Sequence, residues 1–122
     1  MKYAEKMVKN VKNELYDTNV LIHFWRKGRK DIKRNMTILN IIEFPKALMV
    51  KNLITIYPNP DDLNTVLKIL KDLMRKRTPI TRVNIIPAAI ALNRNLTILT
   101  KDKDFKLIKA VRPHLKLRII KN

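Results

Sequence analysis

Four polar residues lie beside or inside apolar runs of this chain: Asp17 in ELYDTNVLI, Glu43 in TILNIIEFPKALMV, Asn84 in RVNIIPAAIALN and Asp102 in LTILTKDKDF. Acids are scarce, 10 Asp and Glu against 27 Lys and Arg. Carboxylates spent where polar groups are disfavoured therefore point to a shared acidic pocket. Neighbouring carboxylates repel unless a cation sits between them. A hard divalent cation, Mg²⁺ or Mn²⁺, suits such oxygen donors, with water and phosphate oxygens completing its shell. It would acidify a bound water, align it with a phosphodiester and neutralise charge on the leaving oxygen.

The elements that must position these residues follow from periodicity. Lys2, Lys6, Lys9 and Lys12 oppose Ala4, Met7, Val8, Val11 and Leu15, which predicts an amphipathic N-terminal helix over residues 1–13. Leu15 to Asp17 reads as a short strand, followed by a helix from Thr18 toward Gly28, the only glycine. Met36 to Leu39 reads as a second strand, with Asn40 capping a helix through Lys51 and Pro45 tolerated in its first turn. Leu53 to Tyr57 is β-branched and apolar and closes on Pro58-Asn59-Pro60.

From Asp61, read as the cap, Leu63, Val66, Leu67, Leu70, Leu73 and Met74 recur at helical spacing to about Arg77, with the lysines facing water. A nearly apolar helix over 84–95 follows, opened by Asn84 with Pro87 in its first turn, and it should be the buried one. Leu96 to Thr100 is a strand, Asp102 to Val111 a short helix or turn, and Leu115 to Ile120 a last strand. Strands alternating with helices predict an α/β sandwich with a mainly parallel sheet. In such sheets functional groups collect beyond the carboxyl ends of the strands, where Asp17 and Asp102 fall.

Composition narrows the function classes. At 122 residues and 46% hydrophobic the chain is expected to form one domain with a real core. No apolar run approaches the roughly 18 residues of a membrane helix and the N-terminus lacks an apolar signal region, so a cytoplasmic location is expected. The absence of cysteine excludes disulfides, thiolate zinc sites and a cysteine nucleophile, and two histidines are too few for a histidine metal cluster. A net charge of +17 calls for a polyanion, with nucleic acid first among the candidates. Six of the nine residues from Arg26 to Arg34 are basic, and Lys101, Lys103, Lys106 and Lys109 surround Asp102. A solvating lysine surface is the plainer reading of the same charge.

Taken together, DTNVLI, the acid in IIEFPKAL, NIIPAAIAL and LTILTKDKDF resemble the PIN-domain ribonucleases, most closely the small VapC-type toxins of prokaryotic toxin–antitoxin pairs. The resemblance spans about residues 14 to 120. It implies a PIN-like three-layer α/β sandwich and a Mg²⁺- or Mn²⁺-dependent endoribonuclease, with RNA as substrate, a small antitoxin as partner and a homodimeric state. It also implies Asp17, Glu43 and Asp102 as metal ligands or water activators, and Asn84 as a fourth catalytic position. Thr18, Asn19 and Thr100 would support the site, and Asp104 competes with Asp102 for the ligand role. Arg26, Lys27, Arg29, Lys30, Lys101 and Lys103 would grip the RNA backbone.

The chain departs from the family pattern at three places. Asn84 stands where the family pattern DxxIAAxAL has an acid, and losing that charge would weaken cation binding by about 1 to a few kcal/mol. The stretch between Glu43 and Leu53 is short, and some ten N-terminal residues have no counterpart in the simplest members. The rival reading is a catalytically weakened or inactive PIN domain that binds RNA through its basic surface. A basic DNA-binding protein has no helix-turn-helix signal to support it. Single residues also have structural readings: Asp17 or Asn84 as caps, Glu43 paired with Lys46, His23 and His114 as surface or packing residues, and Phe24 and Trp25 as core or dimer contacts.

Overall fold

The computed structural model describes residues 13–80 and 82–121. Five strands, β1 (Glu14–Tyr16), β2 (Asn35–Thr37), β3 (Ile54–Ile56), β4 (Thr97–Thr100) and β5 (Lys116–Ile119), form one sheet in the order β3-β2-β1-β4-β5. Every pairing is parallel, with Leu15 opposite Asn35 on one side and Ile98 on the other. Five helices connect and flank the strands: α1 (Thr18–Arg26), α2 (Ile38–Glu43), α3 (Pro60–Arg75), α4 (Ile85–Arg94) and α5 (Phe105–Val111), with 3₁₀ turns at Pro45–Met49 and Arg82–Asn84. The architecture is the α/β sandwich with a parallel sheet that the sequence predicts. The predicted N-terminal helix over 1–13 falls almost wholly outside the described residues. Among those described, no helix is long and apolar enough to cross a membrane.

Alternation along the central strands builds two cores. Successive side chains point to opposite faces of a strand, so Leu15 and Ile98 join Ile69, Leu73, Ile85, Ile90, Phe105 and Ile108 beneath α3, α4 and α5. Tyr16 and Leu99 join Val20, Leu21, Met36 and Ile41 beneath α1 and α2. The connections from β1 to β3 step in one direction across the sheet and the later ones start from its other half. The order therefore reverses between β1 and β4, and a crevice opens there at the carboxyl ends of those strands.

Several boundaries differ from the sequence reading. β2 ends at Thr37, and Thr37, not Asn40, caps the next helix by accepting from the Asn40 N–H at 3.2 Å. That helix stops at Glu43 because Phe44, preceding Pro45, is forced toward extended geometry, and the remaining stretch tightens into the 3₁₀ turn. Helix α3 is capped by Asn59 in a capping box with Asp62, one step before Pro60 at the first helical position, so Asp61 is not the cap.

The buried face of α3 also differs. Asp62, Ile69 and Leu73 are buried, whereas Leu63, Leu67 and Met74 are exposed. Helix α4 is buried along Ile85 and Pro87 to Ala91 as expected, and ends in a left-handed Asn95.

Candidate metal centre at the strand ends

Asp17 leaves β1 toward the crevice and is only 9% exposed. Its backbone N–H donates to the Leu99 carbonyl at 2.9 Å, extending the β1–β4 ladder by one residue and pinning the side chain over the strand ends. Both carboxylate oxygens accept from neutral groups. Oδ1 takes the Thr18 N–H at 2.9 Å and Asn40 Nδ2 at 3.0 Å; Oδ2 takes the Thr100 hydroxyl at 2.6 Å and Asn19 Nδ2 at 3.4 Å. The first bond also makes Asp17 the N-cap of α1, so capping and site membership coexist in one residue.

Thr100, the last residue of β4 and fully buried, joins the two acids. Its hydroxyl donates to Asp17 and accepts the Asp102 N–H at 2.9 Å. Asp102 in turn accepts the Asp104 N–H on Oδ1 and Asn84 Nδ2 on Oδ2, both at 2.9 Å. Asp102 thus faces Asn84, while Asp104 contributes its backbone to the turn. Asn84 does not cap α4: it lies in helical geometry at the end of a 3₁₀ turn, and its amide is spent on Asp102.

Glu43, at the end of α2, is exposed. Partial desolvation, and then the charge of Asp17, push its pKa above the ordinary carboxylate value, so it lies within electrostatic reach of the pocket.

The residue that sequence reasoning missed is Asn40. Held by Thr37, it reaches from α2 to donate to both Asp17 and the Thr18 hydroxyl, the latter at 2.7 Å. The signal was present, since Thr37 three residues earlier is a competent cap and leaves Asn40 as an unexplained amide in an apolar run. A continuous polar chain therefore runs from Thr37 through Asn40, Asp17, Thr100 and Asp102 to Asn84.

The donor chemistry fits a hard divalent cation. Asp17, Asp102 and the Asn84 amide offer oxygens only, and among the described residues no three Asp, Glu or His side chains close into a cage. A cation held here would draw the rest of its shell from water and phosphate. The ion pairs among the described residues join Arg34 and Arg118 to Glu14, Arg94 to Asp62 and Arg112 to Asp72. None of these pairs reaches Asp17, Glu43 or Asp102. Asp31, Asp61 and Asp104 also take part in none of these pairs, and what sets Asp17 apart is that it is buried without one.

Of the six basic residues expected to face RNA, Arg29 and Lys30 lie over the Phe24 and Trp25 rings, the Lys30 ammonium 3.2 Å from the ring centre. Phe24 and Trp25 themselves pack against the core beneath α1 and α2. Arg26, Lys27 and Lys101 line a pocket beside Asp17's neighbour Asn19, and Lys103 is exposed.

No protein-family model matches the chain. No curated protein matches its sequence. Its fold is shared with solved VapBC structures. VapBC2 from Rickettsia felis bound to a promoter DNA fragment superposes with a TM-score of 0.71 at 15% identity, covering 87% of this chain and 97% of that one. DNA-bound VapBC from Salmonella typhimurium gives 0.70 at 16%, covering 88% and 97%. A toxin–antitoxin complex from Klebsiella pneumoniae gives 0.59 at 17%, covering 75% and 89%. At identities this low the likeness is one of fold alone.

Proposed function

We propose that the chain is a Mg²⁺- or Mn²⁺-dependent endoribonuclease of the VapC toxin type, working in the cytoplasm and restrained by a small antitoxin protein. The observation that carries this reading is the buried Asp17, tied through Thr100 to Asp102 and given only neutral partners in a strongly cationic protein. Uncompensated carboxylates cost stability unless something positive binds them.

Asp17 and Asp102 would hold the cation, whose chemistry is to acidify water and neutralise the leaving oxygen. Asn40, Thr18 and Thr100 lock the Asp17 carboxylate in orientation. Glu43, with its raised pKa, is a stronger base than an ordinary carboxylate and would take the proton of the attacking water. The water oxygen would bond to phosphorus as the phosphorus–oxygen bond of the leaving ribose breaks, and that ribose oxygen would take a proton from solvent water. Exposed Ile42, Leu48 and Met49 beside α2, and Leu63, Leu67 and Met74 on α3, support a protein partner and a homodimer.

One observation favours the weakened-enzyme reading. The Asn84 amide satisfies Asp102 with a hydrogen bond where a second acid would demand a cation. Cleavage of single-stranded and structured RNA, titrated with Mn²⁺ and Mg²⁺, tests both. Metal-dependent cutting lost in Asp17→Asn is expected. RNA binding without cutting at any metal concentration would establish the weakened form.

A further inference from the structure

Beside the carboxylates lies a second pocket, of about 500 Å³, lined by Asn19, Ile22, His23, Arg26, Lys27 and Lys101. Three of these are cations, and no acid is among the six. His23, Arg26 and Lys27 are three and four residues apart and so share one face of the last turns of α1; Lys101 enters from the end of β4. None of the ion pairs among the described residues involves Arg26, Lys27 or Lys101. Like charges gathered around one cavity are unfavourable until an anion enters it.

Lys101 is also held in place. The Lys101 ammonium, which can only donate, lies 3.2 Å from His23 Nδ1, so the imidazole accepts. His23 is held below its ordinary pKa, first by desolvation and then by the charges of Lys101 and Lys27, which keeps that nitrogen free to accept. Asn19 couples this pocket to the carboxylates: its amide donates to Asp17 and its carbonyl accepts the Lys101 N–H at 3.1 Å. Arg29 and Lys30, in the same basic run, are instead engaged by aromatic rings.

We propose that this pocket is a phosphate subsite, which seats one phosphate of a single-stranded RNA next to the position of cleavage. It rests on the RNA-acting reading above and assigns the grip to Arg26, Lys27 and Lys101, with His23 orienting Lys101. The phosphate comes either from within the strand or from a 5′ end, and the two share the same chemistry.

The test is equilibrium binding of a short single-stranded RNA to the whole protein in EDTA, with 5′-phosphate and 5′-hydroxyl forms compared. Lys101→Ala and Arg26→Ala should each weaken binding about fivefold and lower the salt slope by about 0.7, the loss of one phosphate contact. Lys101→Arg should recover most of that loss. Lys116→Ala, at the opposite ends of the strands, removes the same charge and should cost less than half as much.

The ring signals of His23 should move on RNA addition while those of His114, outside the pocket, stay. A 5′-phosphate preference that depends on Lys101 identifies an end-binding subsite, and equal affinity of the two forms an internal one. Equal losses from Lys116→Ala and Lys101→Ala would reduce the effect to a diffuse field and overturn the subsite. RNA held this way but never cut with Mn²⁺ would overturn the nuclease and leave the subsite standing.

Discussion

Two buried carboxylates in this molecule are solved in opposite ways. Asp62, fully buried at the start of α3, accepts a bidentate Arg94 guanidinium at 2.8 and 2.9 Å, the Asn93 amide at 3.0 Å and, through the capping box, the Asn59 N–H at 2.8 Å. Asp17, nearly as buried, receives four hydrogen bonds and no cation. Both satisfy their lone pairs, and only Asp62 has its charge neutralised from within. The fold compensates the charge of Asp62 and leaves that of Asp17 free, as the proposed metal site requires. Burial alone would not separate them.

The largest expected break in that contrast is at Asp17. Asp17→Asn should lower metal-dependent RNA cleavage by about 10³-fold, yet shift unfolding free energy by no more than about 1 kcal/mol. An amide keeps the Oδ1 bonds, and the Thr100 hydroxyl can turn to accept from the new NH₂. Cleavage assays paired with urea melts check this. A melt lowered as far as in the Asp62 variants would make Asp17 a structural cap.

Asn84→Asp sharpens the contrast from the other side. It adds a charge against Asp102, worth about 1 to a few kcal/mol of cation affinity, so cleavage at limiting metal should rise about 10- to 100-fold. Mn²⁺ should then raise the melting temperature of the variant more than that of the native chain. Identical metal responses would remove Asn84 from the site.

Asp62→Ala and Arg94→Ala should each cost about 2 to 4 kcal/mol, because either one leaves a partner of a mostly buried pair behind. The double variant should cost less than the sum of the two, as measured by a double-mutant cycle in urea.

The smallest effect is in acid. Burial alone would raise the Asp62 pKa, but bonds from Arg94, the Asn59 backbone and Asn93 outweigh it and hold the carboxyl below its ordinary value. That stabilisation is fully present above the unfolded carboxylate pKa of about 3.9 and is lost as pH falls through the folded value. Acid melts from about pH 5 downward should therefore show the native chain losing more stability than Asp62→Asn. Parallel curves would mean that the Asp62 pKa is not depressed.

Local patterning carried much of the fold. Short strand-like runs placed β1 and β4, the apolar run from Ile85 to Ala91 marked the buried helix, and the scarcity of acids drew attention to Asp17 and Asp102. Errors came where two local rules competed. At Thr37 and Asn40 either residue could cap, and at Asn59, Pro60 and Asp61 the proline, sitting at the first helical position, moved the cap two residues earlier. On α3 the apolar residues outnumber one face, so hydrophobicity alone could not say that Ile69 is buried and Leu67 exposed.

By itself the sequence determined which residues could do chemistry and the alternation of strands and helices, because residue type and the periods of 2 and 3.6 are local properties. The tertiary structure decided what those residues meet. Strand order is a long-range property set by how the helices pack, and it makes β1 and β4 neighbours at the point of reversal. That adjacency brings Thr100 between Asp17 and Asp102 and lays Lys101 against His23, while the pairing of β1 with β2 on its other side turns Asn40 from a cap into a donor at the site, and the fold of α4 back onto β4 aims Asn84 at Asp102.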